Sequence, residues 1–214
     1  MPIAVHIYPL SKLVHASAGS WERQLRDIEE GKLRAYHYYL PLREAIVVYG
    51  KSRGKKLEQA IAGLDAASRR VAAGRGANPV KDNRTAFDAF IRNFYPRIGE
   101  FGQSLLRDDS KTGCEFEGVR LMGLPHFSAS DLKGNERYIY THASKWSEDD
   151  LKAYLELLSI IVEARFGANP ESIWCMDLRT GTDFKWKSSP RLRAKCASAA
   201  RLYARIIDAM TSSE

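Results

Sequence analysis

Cysteine is scarce in this chain of 214 residues. Cys114, Cys175 and Cys196 are too few and too scattered for a disulfide framework, and no pair has the close spacing of a zinc knuckle. A reducing cytoplasm is the compartment expected. Long apolar runs are missing too. Even the stretch at residues 157–162, interrupted by Ser159, falls far short of the roughly 20 residues needed to cross a bilayer, so no membrane partner is expected. The opening MPIAVHIYPL has no charged lead and no long apolar core, which argues against a secretory leader. H-E-x-x-H and G-x-S-x-G are absent. GKSRGKK, from Gly50, lacks the glycine-to-lysine spacing of a phosphate-binding loop. No internal repeat is found.

What the chain has in excess is positive charge. Lysine and arginine number 33 against 26 aspartate and glutamate, a formal net charge of +7. Such a balance favours a polyanionic partner, nucleic acid first. Hydrophobic residues at 44% are enough for a sizeable globular core.

Periodicity divides the chain at a glycine-rich stretch, VAAGRGANPVKDN (residues 71–83), which reads as a surface loop. Residues 1–83 form a mainly helical preface and residues 84–214 an α/β core. In the preface, Ser20 can cap a helix that stops at Gly31. LREAIVVY fits a helix or a short strand, and KKLEQAIAGLDAASRRVAAG has one apolar face. The core opens with a helix from about Thr85, ended by Pro96, and RIGEFGQSLLR continues as a helical turn. CEFEGVRLMGL alternates as a strand, SDLKGNER is a turn, and RYIYTHAS is a second strand. Ser147 caps a helix that ends at Gly167, where the acidic trio Glu148, Asp149 and Asp150 complements the helix dipole. SIWCMDLRTG is a buried strand, and Pro190 opens the last helix. Helix, strands, helix, strand, helix in that order imply a mixed central sheet with helices on its faces.

This order, with the glycine-flanked Gly123-Leu124-Pro125, resembles the PD-(D/E)XK nuclease superfamily, and its RecB-type branch in particular. The resemblance covers about half the chain, from Phe87 to Lys187, and implies a restriction-endonuclease-like core. It also implies where a divalent cation, magnesium or manganese, would be held for phosphodiester hydrolysis. Glu100 falls at the assisting acidic residue of the first helix. His126 falls at the first metal-binding aspartate, Thr141 at the second carboxylate and Ala143 at the lysine. Tyr154 matches a tyrosine of the following helix, whose partner glutamine is replaced by Asp150. The metal cage is therefore degenerate, and no cofactor is expected. A shifted register makes Lys145 the lysine, though no carboxylate then precedes it. A softer metal is conceivable on Glu100, His126, Asp131 and His142, and Asp177 with Asp183 is a possible relocated carboxylate pair. If the chain is active, Glu100, His126, His142 and Lys145 are the candidates.

The last quarter of the chain carries the densest charge. Arg179, Lys185, Lys187, Arg191, Arg193, Lys195, Arg201 and Arg205 are interrupted by one acid, Asp183. At 100° per residue, Arg191, Lys195, Arg201 and Arg205 share one arc, opposite Leu192, Cys196, Ala199, Tyr203, Ile206 and Met210. Trp186 is placed to stack on a base. Arg179, Lys185, Trp186, Lys187, Arg191, Lys195, Arg201 and Arg205 are thus the nucleic-acid-binding candidates. Lys51, Arg53, Lys55 and Lys56 form a second basic patch, and Tyr36, His37, Tyr38 and Tyr39 are further stacking candidates.

The expectation is a nuclease-fold protein that binds nucleic acid, or a nucleic-acid-processing complex, without hydrolysis. One alternative is an active metal-dependent nuclease with relocated ligands. Another is a protein–protein regulator or inhibitor, for which Gln103-Ser104-Leu105-Leu106 offers a weak clamp-docking motif.

Overall fold

A computed structural model describes residues 2–17, 20, 21, 23, 25, 38–71, 77–105, 113–184 and 186–211. Its framework is a five-stranded mixed sheet between two helical layers. The strands are β2 (Ile98–Ser104), β5 (Phe127–Asp131), β6 (Glu136–His142), β7 (Ile173–Asp177) and β8 (Thr182–Phe184), adjacent in that order. β5 runs antiparallel to both β2 and β6, β7 is parallel to β6, and β8 is antiparallel to β7. The parallel step requires a crossover, and helix α5 (Glu148–Phe166) supplies it. A smaller sheet joins β1 (Ile3–His6), β4 (Val119–Met122) and β3 (Cys114–Phe116).

Side-chain alternation along the strands fills two cores. Phe127, Ala129, Ile139 and Met176 face a layer made by α2 (Leu40–Lys51), α3 (Leu57–Ser68) and α4 (Pro79–Asn93). There they meet Ile46, Leu64, Phe87 and Phe90. Tyr138, Tyr140 and Cys175 belong to the other core, with Leu155 and Leu158 of α5, Leu10 of α1 (Ile7–Leu13) and Tyr203 of α6 (Pro190–Thr211). Each core takes residues from both sides of position 83.

Local chemistry explains the helix limits. Ser147 accepts the amide of Asp150 at 3.1 Å, and Gly167 ends α5 at φ 61°. α4 starts earlier than its apolar pattern suggests. Asn78 caps it, accepting from Lys81 N–H at 3.1 Å, and Pro79 occupies its first turn, so the end of the expected loop is helical. LREAIVVY is part of helix α2, because Leu42, Ala45, Ile46 and Tyr49 recur on one buried face.

Three expectations need correction. RIGEFGQSLLR is not a helical turn. Its ordered part is strand β2, where a Cβ on Gly99 would lie 2.6 Å from the Asp131 carbonyl oxygen. Glycine there serves close strand approach and weakens any helix. CEFEGVRLMGL is a hairpin rather than one strand, turned by Glu117 at φ 50° and Gly118 at φ 85°. On α6, Cys196, Ala199 and Tyr203 are buried as the arc requires, but Met210 is 48% exposed because the helix end outruns the core. Most of the helix expected after Ser20 lies outside the described residues. No described helix is long and apolar enough to cross a membrane.

Candidate functional site

Register places two of the sequence-predicted positions side by side. Phe127 of β5 lies opposite Ile139 of β6, so His126 sits beside the strand end that carries Thr141. The Thr141 amide donates to His126 Nδ1 at 3.0 Å, and the Thr141 hydroxyl lies 2.8 Å from the same nitrogen. A nitrogen that accepts an amide proton has none of its own, so the hydroxyl donates as well. The imidazole is then neutral, with its proton on Nε2. Its backbone N–H donates to Ile139 at 2.7 Å, which locks the residue to β6. His126 is 3% exposed. Burial, and then the positive charge of Arg43, hold its pKa well below the usual histidine range.

Beside this pair opens a small cavity of about 50 Å³, room for a few water molecules. Residues from the end of β6 line it, including Tyr140, His142 and Ser144. Tyr8 of α1, Arg43 of α2 and Tyr154 of α5 reach it from three helices, and Trp146 and Tyr39 complete the aromatic lining. Tyr8, Trp146, Tyr154 and Tyr140 form a chain of ring contacts with centroids 5.0, 5.2 and 4.6 Å apart. Lys12 packs on Trp146 of this lining. It donates to Asp150 at 2.6 Å while lying 5.1 Å from the Trp146 ring centre. Sequence reasoning selected Tyr154 and Thr141 but missed Arg43, Tyr8 and Trp146. A single arginine on an amphipathic helix carries no local mark of burial, yet Arg43 is 7% exposed.

The residues expected to hold a metal do not converge. Glu100 stands on a strand rather than the first helix. Its side chain is 77% exposed and lies 3.9 Å from Arg53. It pairs in register with Ser130, four residues along β5 from His126, a span of about 13 Å. Asp131 is at that far end too. It accepts from Lys133 and Asn135 in the turn and pairs with Arg137 at 3.0 Å. Lys145 is exposed beyond β6. Asp177 accepts the amides of Arg179 and Thr180, a turn closure, and Asp183 pairs with Arg97. Among the described residues, no three His, Cys, Asp or Glu side chains are grouped to hold a metal ion. Magnesium takes hard oxygen ligands. At its expected place stand an imidazole whose Nδ1 is already engaged by Thr141, and an alanine. The residues present do not fit that ion.

No protein-family model matches the chain, and no curated protein matches it.

The basic candidates separate by their partners. Lys187, Arg191, Lys195 and Arg205 are exposed and have no ion-pair partner among the described residues. Arg201 is held by Glu117 at 2.6 Å, Arg193 pairs with Glu163, and Arg179 lies 3.5 Å from Asp177. Trp186 is half-buried against the core that holds Tyr138, Tyr140 and Cys175 instead of standing free as a stacking surface. Lys185 lies outside the described residues, as do Tyr36, His37, Leu106 and Arg107. Tyr38 donates to Asp82 at 2.6 Å. The start of α6 is pinned by a buried carboxylate, Glu156 of α5, which accepts from the Ser188 hydroxyl at 2.8 Å and the Ser189 amide at 3.3 Å.

Buried neutral histidines make stability depend on pH. Burial lowers the pKa of His126, and also that of His142, where Asp177 opposes the shift and Arg179 adds to it. Below about pH 6.5 the unfolded chain takes up protons that the folded chain refuses. Their contribution is therefore complete above that pH and is lost on acidification, by at most about 1.4 kcal/mol per pH unit for each histidine. Glu156, whose pKa burial raises, runs the other way. Urea denaturation at pH 7 and 5.5 is expected to show a smaller acid loss in His126→Asn than in the wild type. Equal losses would remove His126 from the account.

Proposed function

We propose that this protein binds nucleic acid on a nuclease-like scaffold and does not hydrolyse it. The observation that carries the reading is the row of Lys187, Arg191, Lys195 and Arg205, exposed along and before α6 with no described carboxylate to neutralise them. Phosphate contacts of this kind give affinity without sequence choice. The absence of hydrolysis rests on the β5–β6 site. The resemblance calls for a carboxylate, a second carboxylate and a lysine where His126, Thr141 and Ala143 stand, and the first two are closed on each other by hydrogen bonds. Helix α4, the antiparallel strands, α5 and the parallel strand β7 follow in the order on which the resemblance rests.

Binding of a labelled DNA duplex, followed by fluorescence anisotropy, is expected to weaken with salt between about 50 and 200 mM. Four phosphate contacts give a slope of log K against log salt of about −3 to −4. The same DNA is expected to remain intact with magnesium or manganese. No binding at the lowest salt would overturn the reading, and manganese-dependent cleavage would overturn its second half.

A further inference from the structure

We infer that Glu117 limits the grip of α6 on nucleic acid by occupying Arg201 in place of a phosphate. The inference rests on the nucleic-acid reading and adds to it a residue that sets how many phosphates the helix can hold. Glu117 stands at the tip of the β3–β4 hairpin, and its carboxylate accepts from the Arg201 guanidinium at 2.6 Å. The turn sits against α6, since a Cβ on Gly118 would lie 3.7 Å from the Ala204 Cβ, an ordinary contact. Backbone packing therefore delivers the acid to the basic helix. Glutamate is a poor choice for this turn. Glu117 and Gly118 both have positive φ, 50° and 85°, a conformation that Gly, Asn and Asp adopt with least strain. A strained residue kept at a surface turn points to a role beyond the turn.

Stability does not supply that role. Glu117 and Arg201 are both exposed, and an exposed ion pair adds little to a fold. α6 is already seated by Cys196, Ala199, Ala200 and Tyr203, all of them buried. Charge is what remains. Arg191, Lys195 and Arg205 are exposed with no ion-pair partner among the described residues, and Arg201 shares their arc one turn before Arg205. With Arg201 engaged, Lys195 and Arg205 are ten positions apart, about 15 Å along the helix. A released Arg201 would fill that gap and make the cationic row continuous. The other paired arginine of α6 differs. Arg193 lies outside the arc and meets Glu163, an acid in the regular backbone of α5, so that pair joins two helices.

The test uses the full chain and a labelled DNA duplex, with anisotropy followed between about 50 and 200 mM salt. Glu117→Gln keeps the size of the side chain and removes its charge. It is expected to bind about fivefold more tightly near 0.15 M salt and to steepen the slope of log K against log salt by about 0.9, the share of one further phosphate contact. A merely structural role for Glu117 would give no such gain. Glu117→Asn, which suits the positive φ, is expected to show the same gain, and it serves as the test if Glu117→Gln does not fold. Adding Arg201→Gln to either variant is expected to return affinity and slope to those of the wild type. A gain that survives this second change would come from net charge without Arg201, and it overturns the inference. Unchanged affinity and slope in both Glu117 variants also overturn it, while leaving the nucleic-acid reading intact. No binding by the wild type or by either variant at the lowest salt overturns that reading, and the inference with it.

Discussion

Changing Arg191, Lys195 and Arg205 together to glutamine is expected to weaken DNA binding about a hundredfold at physiological salt and to flatten the salt dependence by nearly three units of slope. The estimate follows from counterion release. Each phosphate contact contributes about 0.9 to the slope, which near 0.15 M salt is worth roughly a factor of five in affinity. Three contacts multiply to about two orders of magnitude. All three side chains are exposed, so the change should leave the fold intact. Arg201→Gln is the control. Its guanidinium already holds Glu117 at 2.6 Å, so its loss is expected to change affinity severalfold less than loss of Arg205. A triple variant that binds as tightly as the wild type would move the nucleic-acid contact off α6. An Arg201 variant as weak as Arg205→Gln would show that the Glu117 pair opens on binding.

The distinction between Arg201 and its neighbours shows what a sequence can and cannot display. The helical arc of α6 follows from spacing alone, and its apolar side is the one that packs, except at Met210. Which cations are neutralised depends on Glu117 and Glu163, residues 84 and 30 positions away. Elements governed by local chemistry were legible in the same way. Ser147, the acidic first turn and Gly167 mark both ends of α5, and the turn of Asp131, Gly134 and Asn135 sets the β5–β6 register. That register then brings His126 to Thr141. β2 was hidden because Gly99 and Gly102 have no side chains to alternate, their role being close approach to β5. β1 and α1 were hidden because four and seven residues are too short for a period to emerge.

The cavity itself was the least legible feature. It needs α1, α2, α5 and the end of β6 at once, and none of these carries a motif for it. The expected centre of chemistry lay between Glu100, His126 and Thr141. The structure instead puts Glu100 in solvent and opens beside Thr141 a small cavity lined by Arg43 and tyrosines. Glu156 is a parallel case. Within the apolar stripe of α5 it looks like a solvent-facing break, yet it is fully buried because the Ser188-Ser189 linker returns to satisfy it. Polar residues buried by distant partners are invisible to periodicity, since the pattern records only which side of an element faces inward.

Phe90→Ala is expected to cost about 3–5 kcal/mol, the largest stability loss of any single change considered. Phe90 is fully buried in α4, with ring centroids 6.4 Å from Phe127 and 6.3 Å from Tyr95. Removing it deletes the contacts between the helical layer and β5 and leaves a cavity that its rigid neighbours cannot fill. Against a typical stability of about 5–15 kcal/mol this is a large share, readable as a fall in the urea midpoint at unchanged slope. Leu132→Ala, at an exposed turn where the side chain is 70% accessible, is expected to stay within about 0.5 kcal/mol. The comparison also bears on how the first 83 residues belong to the molecule. Phe90 lies in the core that joins Ile46 and Leu64 to Phe127 and Met176. If α2 and α3 were a loosely attached preface, that core would be half empty in solution and the loss would fall below about 1 kcal/mol. A full loss in one cooperative transition means that the helices before residue 83 and the sheet after it unfold together, and that β5, which positions His126, is held from this side.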